Sequence, residues 1–98
     1  MICDHLEDSR NLKSIKLRGN KIDDEGVKIL CKALFALNIT NLDLSDNCIT
    51  WEGVDYLLTL SSTNKHIKNI RLRCNKLDKR NFRKMEREFK KQSVNAEF

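Results

Sequence analysis

The chain has 98 residues, of which 40% are hydrophobic and 34% are charged, and its formal net charge is +5. This length excludes more than one domain, and the composition excludes wholesale disorder. No apolar run approaches the roughly 20 residues that a membrane-spanning helix requires, so we expect no membrane span.

Cysteine usage and the first residues indicate a reducing compartment. The four cysteines are far apart and form no CxxC pair, whereas disulfide frameworks and zinc sites usually have closely spaced cysteines. The opening MICDHLEDSR lacks the basic start and apolar stretch of a secretory signal. We therefore expect free thiols, no metal or cofactor, and a cytoplasmic, intracellular location.

Residues 1–11 have the apolar spacing of the back half of a helix. Ile2, Cys3 and Leu6 precede Leu12 by ten, nine and six places, and residues 57, 58 and 61 precede Ile67 by the same steps. This correspondence predicts either a partial helix or an N-terminal cap. It leaves open whether the chain is a piece of a longer array.

Three segments of the chain fit the pattern LxxLxLxxNxL, with Leu or Ile in every apolar slot. LKSIKLRGNKI begins at Leu12, ITNLDLSDNCI at Ile39 and IKNIRLRCNKL at Ile67, and their asparagines are 27 and 28 residues apart. The alternation of apolar and polar residues predicts a half-buried strand in each segment. We interpret residues 1–98 as one domain with repeats at 12–38, 39–66 and 67–92.

A helix is predicted after each strand. Asp23, Thr50 and Asp78 fall at one repeat position and are good helix N-caps, and the apolar residues that follow form a narrow helical stripe. The third helix is highly charged, as a C-terminal cap would be. Asn81 stands where the first two repeats have glycine, so we expect an irregular first turn there. Residues 93–98 are predicted to be a frayed tail.

This pattern resembles the leucine-rich repeats of the ribonuclease-inhibitor-like subfamily. The resemblance implies an α/β solenoid, a right-handed β-α superhelix with parallel strands on the concave face and helices on the convex face. It also implies that each motif asparagine bonds to the backbone of its turn, and that the ligand is another protein.

Alternation along the strands places rows of polar side chains on the concave face. The residues predicted to contact a partner are Lys16, Arg18, Asn41, Asp43, Ser45, Asp46, Asn69, Arg71 and Arg73. The cations among them suggest an acidic partner, although a merely solvated charge ladder explains the same residues. The outer edge of the first strand has no visible cover, so self-association or a larger parent array is also open.

The charge is concentrated towards the C-terminus. Residues 1–64 have a net charge of −3 and residues 65–98 a net charge of +8. This block makes anion or nucleic-acid binding through residues 65–91 an alternative function, although a soluble cap helix would have the same composition.

Catalysis has little support, because no catalytic set of Ser, His, Cys and Asp residues falls on one surface and no glycine-rich phosphate loop is present. The leading prediction is a non-enzymatic protein-interaction module with no catalytic, cofactor-binding or metal-binding residues. A regulator of an enzyme or GTPase is a further alternative.

Overall fold

The computed structural model describes residues 14–98, in which short strands alternate with helices. The strands are β1 (Ser14–Lys16), β2 (Asn41–Asp43), β3 (Asn69–Arg71) and β4 (Asn95–Glu97), and the helices are α1 (Asp24–Leu34), α2 (Trp51–Thr63) and α3 (Phe82–Lys91). This order confirms the predicted α/β repeat architecture. The partial helix or cap predicted for residues 1–11 lies outside the described residues.

The four strands form one parallel sheet in the order β1-β2-β3-β4. Ile15 lies opposite Leu42, Leu42 opposite Ile70, and Ile70 opposite Ala96. Each strand therefore pairs with the next one along the chain, and the intervening helix makes the crossover that parallel pairing requires. The predicted alignment of the first three strands is confirmed.

The apolar residues of the motif and the helix stripes meet in one core. Leu42 and Ile70 project from the strand centres and are at most 1% exposed, while Val54 and Leu57 of α2 and Phe89 of α3 are fully buried. A single repeat has nothing to cover this apolar face, so stacking neighbouring repeats is what removes it from water.

The predicted N-caps are confirmed. The side chain of Asp23 accepts a hydrogen bond from the Gly26 N–H at 2.9 Å, and the hydroxyl of Thr50 accepts one from the Glu52 N–H at 3.3 Å. Asp78 accepts a bond from the Arg80 N–H at 2.9 Å, but it caps a 3-10 turn over Lys79–Asn81 that precedes α3. The first turn of the third repeat is thus irregular, as its asparagine predicted.

The carboxylate of Asp24 links the first repeat to the second. It accepts hydrogen bonds from the backbone N–H groups of Thr50 at 2.8 Å and Gly53 at 3.1 Å, and from the Thr50 hydroxyl. A carboxylate from α1 therefore supplements the cap of α2, where it also complements the partial positive charge of a helix N-terminus.

This arrangement predicts that Gly53→Ala is destabilising. A Cβ at Gly53 would collide with the Asp24 carboxylate and lie 2.8 Å from a methyl of Ile49. Overpacking of this kind costs about 1–3 kcal/mol, which we expect to exceed the ~1 kcal/mol that alanine gains over glycine within a helix. Urea unfolding should therefore show a lower free energy of unfolding.

Gly26→Ala is the matched control, because the glycine occupies the same repeat position in α1. Its added Cβ would lie 3.0 Å from a methyl of Ile22 and meet no carboxylate of a neighbouring repeat. We expect this variant to stay within about 1 kcal/mol of the parent. Equal stability of the Gly53→Ala variant and the parent would contradict the tight inter-repeat contact at Asp24.

The prediction of a frayed tail at residues 93–98 was wrong, because these residues contain β4. Ser93 adopts a left-handed conformation with φ +63° and donates its N–H to the Lys90 carbonyl, while the Val94 N–H bonds to the Phe89 carbonyl. These two bonds form the Schellman motif that ends a helix and redirects the chain. Val94 and Ala96 are then buried at 3% and 5% exposure.

Candidate interaction face

Each of the first three strands leads into a turn with the same backbone. Gly19, Asp46 and Cys74 occupy one repeat position, and all three have positive φ angles of 72°, 56° and 61°. This left-handed conformation bends the chain towards the helical side. The turn leaves backbone N–H and carbonyl groups without strand partners, and the next residue in each repeat is the motif asparagine.

Asn47 satisfies the backbone groups of two successive turns. Its Oδ1 accepts the N–H groups of Asn20 and Ile22, both at 2.9 Å. Its Nδ2 donates to the carbonyls of Leu17 at 3.0 Å, Leu44 at 2.9 Å and Ser45 at 3.0 Å. The side chain is 7% exposed, and a buried turn requires such partners for its polar groups.

Asn75 repeats this arrangement one turn later. Its Oδ1 accepts the Ile49 N–H at 3.0 Å, and its Nδ2 donates to the carbonyls of Leu44 and Leu72 at 2.9 and 3.0 Å. The motif asparagine thus bonds to its own turn and to the preceding one, which fixes the spacing between repeats at the edge of the concave face.

An amide ladder crosses the concave face at the start of the strands. The Nδ2 of Asn41 donates to the Ser14 hydroxyl at 3.3 Å, and the Nδ2 of Asn69 donates to the Oδ1 of Asn41 at 2.7 Å. Asn95 continues the ladder at 3.5 Å from Asn69. Asn41 and Asn69 each use one N–H and one lone pair within the ladder, and Asn95 uses one N–H, so each amide retains further donors and acceptors.

A row of alternating charge lies beside the amide ladder. Lys16, Asp43, Arg71 and Glu97 are register partners on successive strands. The Nε of Arg71 is 3.7 Å from a Glu97 oxygen. The Asp43 carboxylate also accepts the Ser45 N–H at 3.1 Å, so it is held in place within the row.

The turns add a second ion pair, in which the Arg18 Nε donates to the Asp46 carboxylate at 2.9 Å. This hydrogen bond raises the pKa of Arg18 above its ordinary value, and the guanidinium stays charged at every physiological pH. Both side chains are largely exposed, at 67% and 44%, so the pair contributes little to stability and is available for exchange with other charges.

The nine predicted contact residues lie on this face, and all but one of them are accessible to solvent. Lys16, Arg18, Asp46, Arg71 and Arg73 are exposed, and Asn41, Asp43 and Asn69 are half-buried. Ser45 is only 6% exposed, so the prediction that its side chain faces a partner was wrong. Arg18 and Arg73 share this repeat position and are exposed, so the burial of Ser45 follows from its short side chain in the middle repeat.

Sequence reasoning missed Asn95 and Glu97, which extend the amide ladder and the charge row. A signal for them was present, because Asn95 follows Asn69 by 26 residues, close to the spacings of 27 and 28. The apolar slots beside it hold valine and alanine instead of leucine and isoleucine, so the motif did not match.

The concave face has only a shallow groove of about 180 Å³, lined mainly by polar residues from Ser14 to Arg71. Pockets that hold small-molecule ligands typically have volumes of about 300–1,000 Å³, so this groove is smaller than a typical small-molecule site. Within residues 14–98, no group of three or more His, Cys, Asp and Glu side chains is placed to hold a metal ion.

Trp51, the first residue of α2, packs in an aromatic cluster with Phe82, Phe89 and Phe98. Its ring centroid is 6.0 Å from that of Phe82 and 5.2 Å from that of Phe98, and Phe98 is 6.2 Å from Phe89. The indole therefore covers the start of the third repeat. The phenylalanines of the basic C-terminal segment are part of this cluster. They are therefore not placed beside the exposed cations of that segment.

Parallel strands, convex helices and a ladder of turn asparagines define a leucine-rich repeat solenoid. A sequence profile described as Leucine Rich repeat matches residues 8–31 and 36–58. The chain is 30% identical over 78 residues to ribonuclease inhibitor of Sus scrofa, which covers 78% of this chain and 17% of that protein. These findings show that the chain belongs to the leucine-rich repeat proteins, with repeats of the ribonuclease-inhibitor-like type.

Two further relatives have the same kind of repeat. Protein NLRC5 of Mus musculus is 37% identical over 59 residues, covering 59% of this chain and 3% of that protein. NACHT, LRR and PYD domains-containing protein 13 of Homo sapiens is 38% identical over 81 residues, covering 76% of this chain and 8% of that protein. The chain thus spans less than a fifth of the length of each relative.

Leucine-rich repeat proteins generally mediate protein–protein interaction, and those like ribonuclease inhibitor are typically non-enzymatic binding modules. None of the helices between residues 14 and 98 is long and apolar enough to cross a membrane.

Proposed function

We propose that the chain is a non-enzymatic protein-interaction module whose concave face docks a protein of acidic or mixed charge. The observation that supports this most is the alignment of Lys16, Asp43, Arg71 and Glu97 in one register across the sheet. Such a row presents charges about 4.8 Å apart on a rigid support, and complementary charges on a partner would set its orientation.

The cations of the face favour carboxylates on the partner. Lys16 and Arg73 form no ion pair with another residue of the range 14–98, whereas Arg18 and Arg71 each have one exposed acidic neighbour. Exposed pairs contribute only about 0–1 kcal/mol, so a partner carboxylate can replace Asp46 or Glu97 at little cost. The remaining donors of the amide ladder add hydrogen bonds between these charges.

The relatives support the class of ligand and leave its identity open. Regulation of an enzyme or GTPase is a special case of this proposal, since such a regulator acts by docking on its target. An intracellular location accompanies the proposal, supported by the free thiols of Cys31, Cys48 and Cys74.

The test is a quantitative pull-down from cell extract with the Asp43→Ala/Arg71→Ala double variant. We expect loss of the proteins that the parent retains, because the variant removes two adjacent members of the charge row. The matched control is Asp55→Ala/Lys84→Ala on α2 and α3, where both residues are exposed and the net charge also stays constant. The proposal fails if the concave variant retains every partner that the control retains.

Anion binding through residues 65–91 is the second candidate function, because α3 leaves its cations in solvent. Arg83, Lys84, Arg87 and Lys90 are all exposed, and none forms an ion pair with another residue of the range 14–98. With the phenylalanines packed inside, binding would be electrostatic without base stacking. Absence of RNA binding at both low and raised salt would remove this candidate.

A further inference from the structure

The convex side has a second groove, which lies between α1 and α2 and is separate from the concave face. It is an open depression of about 700 Å³. Its walls repeat at helical spacing, with residues 28, 31, 32 and 35 on α1 and residues 56, 59, 60 and 63 on α2. Spacings of three and four place each set on one face of its helix. The groove therefore runs along both helices for about 10 Å, or two turns.

The floor and walls of this groove are largely apolar. Leu60 is buried at its base, and Cys31 and Tyr56 are half-buried along its sides. Burial raises the pKa of Cys31 to about 11, so its thiol is neutral and contributes as an apolar group. Phe35 stands at the C-terminal end of α1 with 62% of its surface exposed.

Exposure of Phe35 is costly for a residue with a purely structural role. Burying a phenylalanine removes a large apolar surface from water, and 62% of this side chain stays in solvent instead. A large apolar side chain at the rim of an apolar groove is typical of an interaction site.

The charged residues that line the groove are lysines. Lys28 and Lys32 line the α1 wall, and the groove continues past Phe35 and Thr63 to Lys65 and His66. No Asp or Glu of the described chain lines either section. Lys32, in the last turn of α1, also complements its helix dipole, but that role does not account for the exposed phenylalanine between the two sections.

We infer that this groove is a docking site for an acidic amphipathic helix of a partner protein. A helix laid between two parallel helices inserts its apolar ridge, with anchors at i, i+3, i+4 and i+7, against Phe35, Tyr56 and Leu60. Carboxylates on one flank of that helix then face Lys28 and Lys32. A second copy of this chain is a poor fit, because its most exposed helix, α3, carries lysines and arginines.

Fluorescence anisotropy with a designed probe tests this site on the full chain. The probe is a labelled 14-residue helical peptide with leucines at i, i+3, i+4 and i+7 and glutamates on its flanks, and the comparison peptide has lysines in place of the glutamates. At physiological salt we expect the acidic peptide to bind about tenfold more tightly than the basic one, since each ion pair adds a small favourable amount.

Substitutions in the groove should change this preference. Phe35→Ser should weaken binding about fivefold or more, and Lys28→Glu/Lys32→Glu should abolish the preference for the acidic peptide. The matched control, Lys21→Glu/Lys76→Glu, makes the same charge change at two exposed lysines outside the helices and should leave affinity within about twofold. The concave variant Asp43→Ala/Arg71→Ala should bind the probe as the parent does. The groove proposal and the concave-face proposal can therefore be refuted separately.

Three outcomes would overturn the inference. The first is equal weakening by the groove and control variants, which would indicate general electrostatic attraction. The second is concentration-dependent dimerisation that Phe35→Ser abolishes, which would make a second copy the occupant. The third is probe binding that appears only after residues 1–13 are removed, which would assign the groove to the chain's own first segment.

Discussion

Asn47→Ala is expected to lower the free energy of unfolding by about 3–4 kcal/mol, as measured by urea denaturation. The substitution leaves the N–H groups of Asn20 and Ile22 and the carbonyl of Leu17 without their side-chain partner, while the Leu44 carbonyl keeps its bond from Asn75. Each buried polar group that loses its partner costs about 1–3 kcal/mol, and entry of water into the opened turn offsets part of that sum.

Asn20→Ala is the matched control, since Asn20 occupies the same motif position in the preceding repeat. Among residues 14–98 its exposed side chain makes one hydrogen bond, to the Arg18 carbonyl at 3.2 Å, so we expect a change within about 0.5 kcal/mol. Asn75→Ala should fall between the two variants. Equal losses for Asn47→Ala and Asn20→Ala would show that the motif asparagines do not act through the inter-repeat bonds described above.

Deletion of residues 93–98 is expected to cost about 4 kcal/mol. It removes buried Val94 and Ala96 and the Glu97 carbonyl that accepts the Leu72 N–H at 2.7 Å. It also removes Phe98 from the face of Trp51. Losing one large apolar side chain from a core typically costs about 2–5 kcal/mol. The whole free energy of unfolding of a native domain is only about 5–15 kcal/mol. Urea unfolding and a red shift of the Trp51 fluorescence report the loss.

Comparing the stabilities of the Val94→Ala and Asn95→Ala variants distinguishes a packed β4 strand from a frayed tail. The two residues are adjacent, but Val94 is buried and Asn95 is exposed. We expect about 2 kcal/mol of destabilisation for the valine and less than about 0.5 kcal/mol for the asparagine. A deletion variant as stable as the parent would restore the frayed-tail interpretation and remove β4 from the fold.

The architecture was predictable because the information for it is local and repeated. Ile15, Leu42 and Ile70 share a motif slot, and parallel strands joined by helices are the arrangement that buries all three. The caps were predictable for the same reason, since Asp23, Thr50 and Asp78 act on backbone groups within three residues of themselves.

The remaining features depend on where the backbone turns and on contacts between repeats. Ser45 was assigned to the surface by alternation, which holds for Arg18 and Arg73 at the same repeat position, but its short side chain in the middle repeat is buried. The Asp24 carboxylate caps a helix of the next repeat, and no motif marks this role because Trp51 and Lys79 hold the same position in repeats two and three. β4 was missed because valine and alanine replace the expected leucines. In the structure every residue of β4 nevertheless pairs with a residue of β3.

The central claim is that like units stack side by side with their strands in parallel register. Scalar couplings across hydrogen bonds, measured by NMR, test it directly. The account predicts couplings from the amide nitrogens of Leu17, Leu44 and Leu72 to the carbonyl carbons of Asp43, Arg71 and Glu97, respectively. Couplings that join these strands in antiparallel order, or fast solvent exchange of all three amides, would contradict it.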